Sequence, residues 1–525
     1  MSGVQNGSAR RVEKLGMVSR RRFLHGAAAG MIVPALAGPG GSAKAEGPKR
    51  GGHLIVGVDG ASTSDTFDPA LYLGIFTQVV GQSINNTLIE IDEKVQARPA
   101  LATAWEPNAA ADSWVIKLRD GVVFHNGKEM TASDVVSSLQ YHRQEGSRSP
   151  AKVFLGSVVE ITASGKYEVT VKLDAGNADF PFILGDYHLV IGPADNPLDR
   201  GIGTGPYVLE NFQPGVSARL TRNKNYWNSE RAFVDSVEVL AINDPSARIF
   251  ALKSGAVHLI NQVPPKLVSR LETDPTVQIF ESAAAAHYAL PMRCDTPPFD
   301  NNDVRLAVKY AIDRDGILTK ILNGHGRIAN DQPIPDFDPF FADLPQRRYD
   351  PDKARFHFQK SGYSGPLVLS VSDVAFAGCV DAAVLIKESA AQAGIDIQVD
   401  SVPADGFWEN TWMKKPWSAA YWDGRPTPDM MFSLLYKSDA AWNDTFWKRP
   451  DFDKILVEAR SELDFGKRAE MYRALQVMIV EEGGQIIPVF NNFIDAGARS
   501  LRGFVPMPTH SLSGWRAVEK VWIDA

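Results

Sequence analysis

The sequence predicts an α/β protein, α+β with mixed sheets, divided into at least two lobes, and three observations lead there. The chain has 525 residues, past the roughly 250 to 300 at which a single hydrophobic core stops growing. Strand-like and helix-like stretches alternate without a fixed repeat, the order expected of sheets covered by helices. Leu367 to Val371, Asp381 to Ala393 and Ile395 to Val399 read as strand, helix and strand, the crossover that joins parallel strands. Hydrophobic content of 44% and charged content of 22% are ordinary for a globular chain, which excludes disordered and fibrous classes.

Taken in order, Gly51 to Val58 alternates small and apolar residues and predicts a first strand. Ser64 to Pro69 makes a turn, and Leu88 to Ile91 returns as a strand. Trp114 to Leu118 and Val122 to Phe124 are predicted as strands around an Asp120-Gly121 turn. Thr131 to Asp134 then opens a helix to about His142, with a hydroxyl cap and an acid in the first turn. Tyr167 to Leu173 alternates throughout and predicts a half-buried strand; Ala218 to Leu220 and Val237 to Leu240 are further strands. Asp244 to Leu252 is a helix opening on Asp-Pro, with proline in its favoured first position. A second lobe is expected from about Ala289 to Met292 onward, beginning with a helix over Asp303 to Ile312. Asp451 to Val457 and Lys467 to Glu482 are helical, and Gln485 to Phe490 is an apolar strand whose Pro488 predicts an edge or a crossing between lobes.

The first 45 residues are of another kind. Ser19-Arg20-Arg21-Arg22-Phe23-Leu24 precedes an apolar run from Gly26 to Gly38, and Ala43-Lys44-Ala45 offers small residues for cleavage, the pattern of a twin-arginine export signal cut after Ala45. The apolar run is shorter than the ~20 residues of a membrane span. No cysteine stands directly after the cut, where Glu46 follows Ala45, so no lipid anchor is expected, and the product is expected to be soluble in the periplasm. The leader carries seven Lys/Arg and one Glu, so its removal takes the net charge from -7 to -13, which argues against nucleic acid as a partner. Cys294 and Cys379, 85 positions apart, carry no spacing signature, and a bridge and two free thiols both stay open.

No nucleophile elbow, phosphate loop, His-Glu-x-x-His or dinucleotide fingerprint occurs, and the histidines show no metal-ligand spacing, so no cofactor, metal or catalytic residue is predicted. Gly201 to Gly205 is glycine-rich but leads into a strand, the wrong context for a phosphate loop. The stretch that concentrates recognition chemistry is Tyr421-Trp422-Asp423-Gly424-Arg425-Pro426-Thr427-Pro428-Asp429. Arg425 suits a carboxylate, Asp423 or Asp429 an ammonium, and Tyr421 and Trp422 the covering of a ligand. A proline-rich surface turn whose Arg and Asp pair with each other is the alternative. Trp408, Arg293 and Asn491 are further ligand-binding candidates; Trp408, with Trp412 and Trp417, reads rather as a core anchor or a lobe-lobe contact.

Phe124-His125-Asn126-Gly127-Lys128-Glu129-Met130-Thr131-Ala132-Ser133-Asp134-Val135 resembles the F-x-(D/N)-G-x-x-(L/M)-T-A-x-D-V stretch of the bacterial solute-binding proteins of family 5, the dipeptide, oligopeptide and nickel receptors of ABC importers. Gly203 to Tyr207 with Arg222-Asn223 and Tyr226-Trp227 is similar to that family's second landmark. Phe299-Asp300-Asn301, Val304 to Ala307 and Ala311 to Arg314 are similar to its third. All three read as fold-maintaining motifs. The resemblance implies a two-lobed periplasmic binding protein fold with a ligand cleft between lobes, monomeric and not an enzyme. It would deliver a small peptide-like or anionic solute to an inner-membrane permease, with the twin-arginine translocase as its partner during export. Lobe one would comprise 46–288, with an inserted subdomain, plus 489–525, and lobe two 289–488. Hinges are expected near His287 to Arg293 and Ile487 to Asn491. The family's peptide receptors carry an aspartate for the ligand ammonium shortly after a Gly-Trp pair. Aligning Trp422 puts Arg425 there, a reversed charge that favours a carboxylate: an opine-like conjugate, a modified peptide, a polycarboxylate or a metal chelate. An exported two-lobed hydrolase, and a periplasmic chaperone or chemoreceptor adaptor on the same fold, are the other readings.

Overall fold

The computed structural model describes residues 47–196, 198 and 201–524. The predicted export signal lies outside the described residues. Among those described, no helix is long and apolar enough to cross a membrane.

A seven-stranded sheet organises one half of the molecule, in the order Val277–Ser282, Phe493–Ala498, Leu259–Ile260, His53–Val58, Ser236–Ala241, Ser217–Arg222 and Tyr207–Gln213. His53–Val58 runs parallel to both of its neighbours. Its alternation puts Leu54, Val56 and Val58 on one buried face, packed with Phe76, Val79 and Val80 of the helix Ile75–Ile84. A second, antiparallel sheet, Ala102–Pro107, Ser113–Leu118, Glu168–Leu173 and Val158–Gly165, forms its own core with the helix Ala132–Arg143 and is an insertion between strands of the first.

The other half is built on a four-stranded sheet, Gly326–Ile328, Val489–Asn491, His287–Ala289 and Ala420–Trp422, and on the parallel pair Leu367–Val371 and Ile397–Ser401. That pair is joined through the helix Cys379–Ala391, so the predicted crossover is present. The main chain passes between the two halves at residues 283–286 and again at Asn492. These connectors lie side by side, with Asn491 N donating to Ala286 O at 3.0 Å. The hinge expected over His287 to Arg293 therefore falls partly inside a strand, one step beyond the true crossing.

The first two family-like motifs dock on one another, and the third caps and braces its own helix. Thr131 and Asp134 form a reciprocal capping box on the helix Ala132–Arg143. His125 N donates to Gly203 O, and the His125 ring lies 3.1 Å from Gly205 O. Gly203 and Gly205 are required by close approach: a Cβ would fall 2.1 Å from Ile84 O at the first and 2.4 Å from the Ile84 carbonyl carbon at the second. Asn301 caps the helix Asn302–Ala311, whose buried Arg305 donates to the Phe299 and Glu482 carbonyls.

Three predicted elements differ. Val122 to Phe124 makes only an isolated bridge, Val123 to Glu129, because the chain turns at once through Gly127 at φ 83°. Regular strand in Gln485 to Phe490 begins at Val489, and Pro488 precedes an interior strand paired on both sides, so of the two expected places it takes the crossing between the halves and not the edge. The stretch Tyr421 to Asp429 is a strand end, a short loop and a helix start, since Ala420–Trp422 is β and Pro428–Leu435 is α. Cys294 and Cys379 are both free thiols.

Candidate functional site

A cavity of about 750 Å³ lies where the two halves meet, within the range of small-molecule sites. One side comes from the seven-stranded half: Gln78 and Gln82 of the helix Ile75–Ile84, Asp186, Tyr187 and His188, and the C-terminal stretch around His510 and Trp515. The other comes from Asp423 to Pro426 and from Ser433 to Trp442. Ile89, Phe154 and Phe182 of the insertion close one end with apolar surface.

The loop reaches the cavity because Gly424 is pressed against the connector. A Cβ there would lie 2.2 Å from that of Ala285, so only glycine lets the backbone pass and aim its neighbours inward. Arg425 Nη1 donates to the Asp423 and Gly424 carbonyls at 3.2 and 3.1 Å, bracing the guanidinium against its own loop. Five Lys/Arg residues line the cavity, and four are matched by acids. Arg460 pairs with Asp429 at 3.0 Å, Lys437 with Asp439 at 2.6 Å, Arg516 with Glu90 at 3.0 Å, and Lys520 lies 3.8 Å from Glu90. Among the described residues Arg425 has no carboxylate within ion-pair distance.

Its field is felt all round the cavity. Burial, with Arg425 adding to it, lowers His510 to about 3, so that imidazole is neutral. Burial raises the Asp423 carboxyl above its ordinary range, against the pull of Arg425. Asp186 is also pushed up by burial, but the charge and hydrogen bonds of His188, and then Arg425, outweigh this and hold it below the ordinary range. Tyr187, His510 and Trp515 cluster beside it, edge-on for Tyr187–Trp515 with ring centroids 4.7 Å apart and tilted for His510–Trp515 at 3.8 Å.

The structure brings only Asp423 and Arg425 of the predicted site residues to the cavity lining. Tyr421 is 47% exposed, edge-on to Trp408 at 5.9 Å. Trp422 is buried, its indole N–H donating to Asp444 at 3.2 Å. Asp429 is committed to Arg460 in the first turn of Pro428–Leu435. Trp408 packs against Phe407 and Trp412. Arg293 is held bidentately by Asp295 and covers the Phe446 ring at 4.1 Å. Asn491 uses its backbone to tie the connectors. Sequence reasoning did not select Asp186, Tyr187, Gln78, Gln82, His510 or Trp515. The one local signal was the Asp186-Tyr187-His188 run itself, three chemically capable side chains in succession.

A mixed α/β chain in two halves, joined by paired connectors and holding a cavity between them, is a two-lobed binding protein in architecture. The profile described as bacterial extracellular solute-binding proteins, family 5 Middle, matches residues 96–444. The chain belongs to that family, and as a member it is a solute receptor of an ABC importer. It is similar to the oligopeptide-binding protein AppA of Bacillus subtilis, at 24% identity over 91% of this chain and 92% of that one. It is similar to the di/tripeptide-binding protein 1 of Pseudomonas aeruginosa, at 25% identity over 79% and 85%. Among solved structures, the periplasmic binding protein DppA of Helicobacter pylori in complex with the peptide STSA superposes with a TM-score of 0.78, at 23% identity, covering 91% of this chain and 99% of that one. The binding protein AgaA of A. tumefaciens R10 in complex with agropinic acid also has a TM-score of 0.78, at 22% identity over 90% and 99%.

Proposed function

We propose that the chain is a monomeric periplasmic receptor that binds a small zwitterionic solute carrying a carboxylate, and releases it unchanged to the permease of its importer. One observation carries the reading: among the described residues Arg425 is the cavity cation without an acid, so a carboxylate entering the cavity finds a part-buried guanidinium already oriented by its own backbone. The relatives' solutes agree in chemistry, since a peptide such as STSA and agropinic acid both present acid groups. Cavity size supports something like a dipeptide or an amino-acid conjugate rather than a long peptide.

In this reading the lobe boundaries expected at 288/289 and 488/489 move to the connectors, so that lobe one is 47–282 plus 493–524 and lobe two 287–491, hinged at 283–286 and Asn492. The solute closes them by binding the closed state more tightly. Export by the twin-arginine route, with cleavage after Ala45 and no lipid anchor, fits a receptor whose two cysteines are free thiols and which folds without an oxidising compartment.

A thermal-shift screen over dipeptides, opines, polycarboxylates and metal chelates tests the reading, because a ligand of the folded form raises the melting temperature by mass action. Arg425→Glu is expected to abolish the shift given by the best anionic ligand while leaving the unliganded melting temperature within about 2 °C. An unchanged affinity would remove Arg425 from the site. Saturable quenching of tryptophan fluorescence without product formation is expected in the same titrations.

A further inference from the structure

We infer that Asp186, on the lobe opposite Arg425, is the residue that receives the positive group of the solute, so that the bound dipole spans the cleft. The inference rests on the zwitterion reading above and adds the residue that selects the cation.

Asp186 lines the cavity beside Tyr187 and His188. Its Oδ1 is occupied, accepting from His188 Nδ1 at 2.7 Å and from the His188 backbone N at 3.0 Å, which fixes the carboxylate plane. Among the described residues Oδ2 has no partner, no Lys or Arg pairs with the group, and its side chain retains 11% exposure, which opens toward the cavity. A rigid carboxylate with one free oxygen matches a protonated amine.

Asp423 is the competing acid. Its only nearby opposite charge is Arg425, two residues along the same loop, and burial disfavours its ionised form. A solute ammonium placed there would sit beside the guanidinium that holds the solute carboxylate. Asp186 instead is held below its ordinary range, supported by His188, and lines the same cavity as Arg425 from the other half. The two charged ends of the solute are then held by different lobes. Neither lobe alone satisfies the dipole, and the ammonium becomes a condition for tight closure.

The experiment uses the full mature protein and calorimetric titration with a matched set: dipeptides and amino-acid/keto-acid conjugates, each with its N-acetyl and C-terminal amide derivative. For wild type, the free-amine form is expected to bind at least about tenfold more tightly than its N-acetyl form. Equal affinities would overturn the inference without any variant. Asp186→Asn keeps an acceptor for His188 and is expected to bring that ratio within about threefold, whereas Asp423→Asn preserves it. A ratio unchanged in Asp186→Asn, or collapsed in Asp423→Asn, overturns it. Arg425→Met is expected to weaken free-amine and N-acetyl forms alike. If it leaves both unchanged, the carboxylate reading falls, while the amine ratio still reports on Asp186. Failure of every member of the set to bind overturns the reading and the inference together.

Discussion

Asp444 shows how an acid far from any motif is put to structural use. It is 1% exposed and accepts from the indole N–H groups of Trp412 and Trp422, both at 3.2 Å, and from Gln485 Nε2 at 3.1 Å. Burial raises its carboxyl to about 7, the three hydrogen bonds only partly opposing this. The folded state therefore holds a proton that the unfolded state releases near 3.8. Its contribution is complete below about pH 4 and declines as pH rises to about 7. Asp444→Asn is expected to remove that decline and to stabilise the protein at pH 8 by on the order of 1 kcal/mol. The new amide can be met by Gln485, whose Oε1 is buried without a partner and becomes an acceptor when the side-chain amide flips. Melting curves at pH 4 and pH 8 check it: a variant with unchanged pH dependence would contradict the assignment. None of this was legible in the chain. The crowding of tryptophans around residues 408 to 422 was visible, but the acid that two of them share is 22 positions past Trp422 and has no local mark. Asp423 and Arg425 were legible as a charged loop for the opposite reason: glycine and prolines next to charges are a local pattern. Asp186 became a cavity residue only through tertiary placement.

Elements follow the same division. The helix Ala132–Arg143 was readable because capping is local: Thr131 Oγ1 and N both meet the Asp134 carboxylate, at 2.9 and 2.8 Å. Asp134→Ala is expected to cost about 2 kcal/mol, more than a surface cap, since the carboxylate is 1% exposed and also accepts from Lys128 at 2.9 Å and Ala194 N at 2.9 Å. Chemical denaturation followed by far-ultraviolet circular dichroism measures it, and a loss below about 0.5 kcal/mol would mean the box is idle. The helix Ile75–Ile84 was missed because nine of its ten residues are buried, its polar Thr77, Gln78, Gln82 and Ser83 included, so no charged, solvent-facing side marks a helical period. The strands His287–Ala289 and Ala420–Trp422 were missed because three residues are too few for alternation to register. The parallel crossover through Cys379–Ala391 had both length and period, and it was found.

At the scale of the whole molecule, the halves meet at a second place besides the cavity. The segment Asn177 to Phe180 of the insertion lies against the last helices of the other half. Ala178 N donates to Arg460 O at 2.8 Å, and Asp179 pairs with Arg468 at 2.5 Å, both side chains less than one-tenth exposed. Met430 joins the core of the insertion itself. Asp179 does not line the cavity, so on the proposed hinged reading its pair with Arg468 belongs to closure rather than to the solute. Asp179→Asn is expected to weaken affinity for every solute by a common factor of about 5 to 30, through 1 to 2 kcal/mol lost from the closed state alone, without altering selectivity. Titration of the same solutes with the variant checks this. A change confined to one solute would place Asp179 in recognition instead.

The side-by-side connectors at 283–286 and Asn492 give these effects a mechanical meaning. Two rigid bodies tied at two neighbouring strands keep one easy rotation, about the line through both ties, while sliding and twisting are suppressed. On the proposed lobe division, the receptor has a single degree of freedom. Contacts at the cavity and contacts at the seam near Asp179 add along that one angle. A permease that reads the angle learns that a solute is bound without having to read which solute it is.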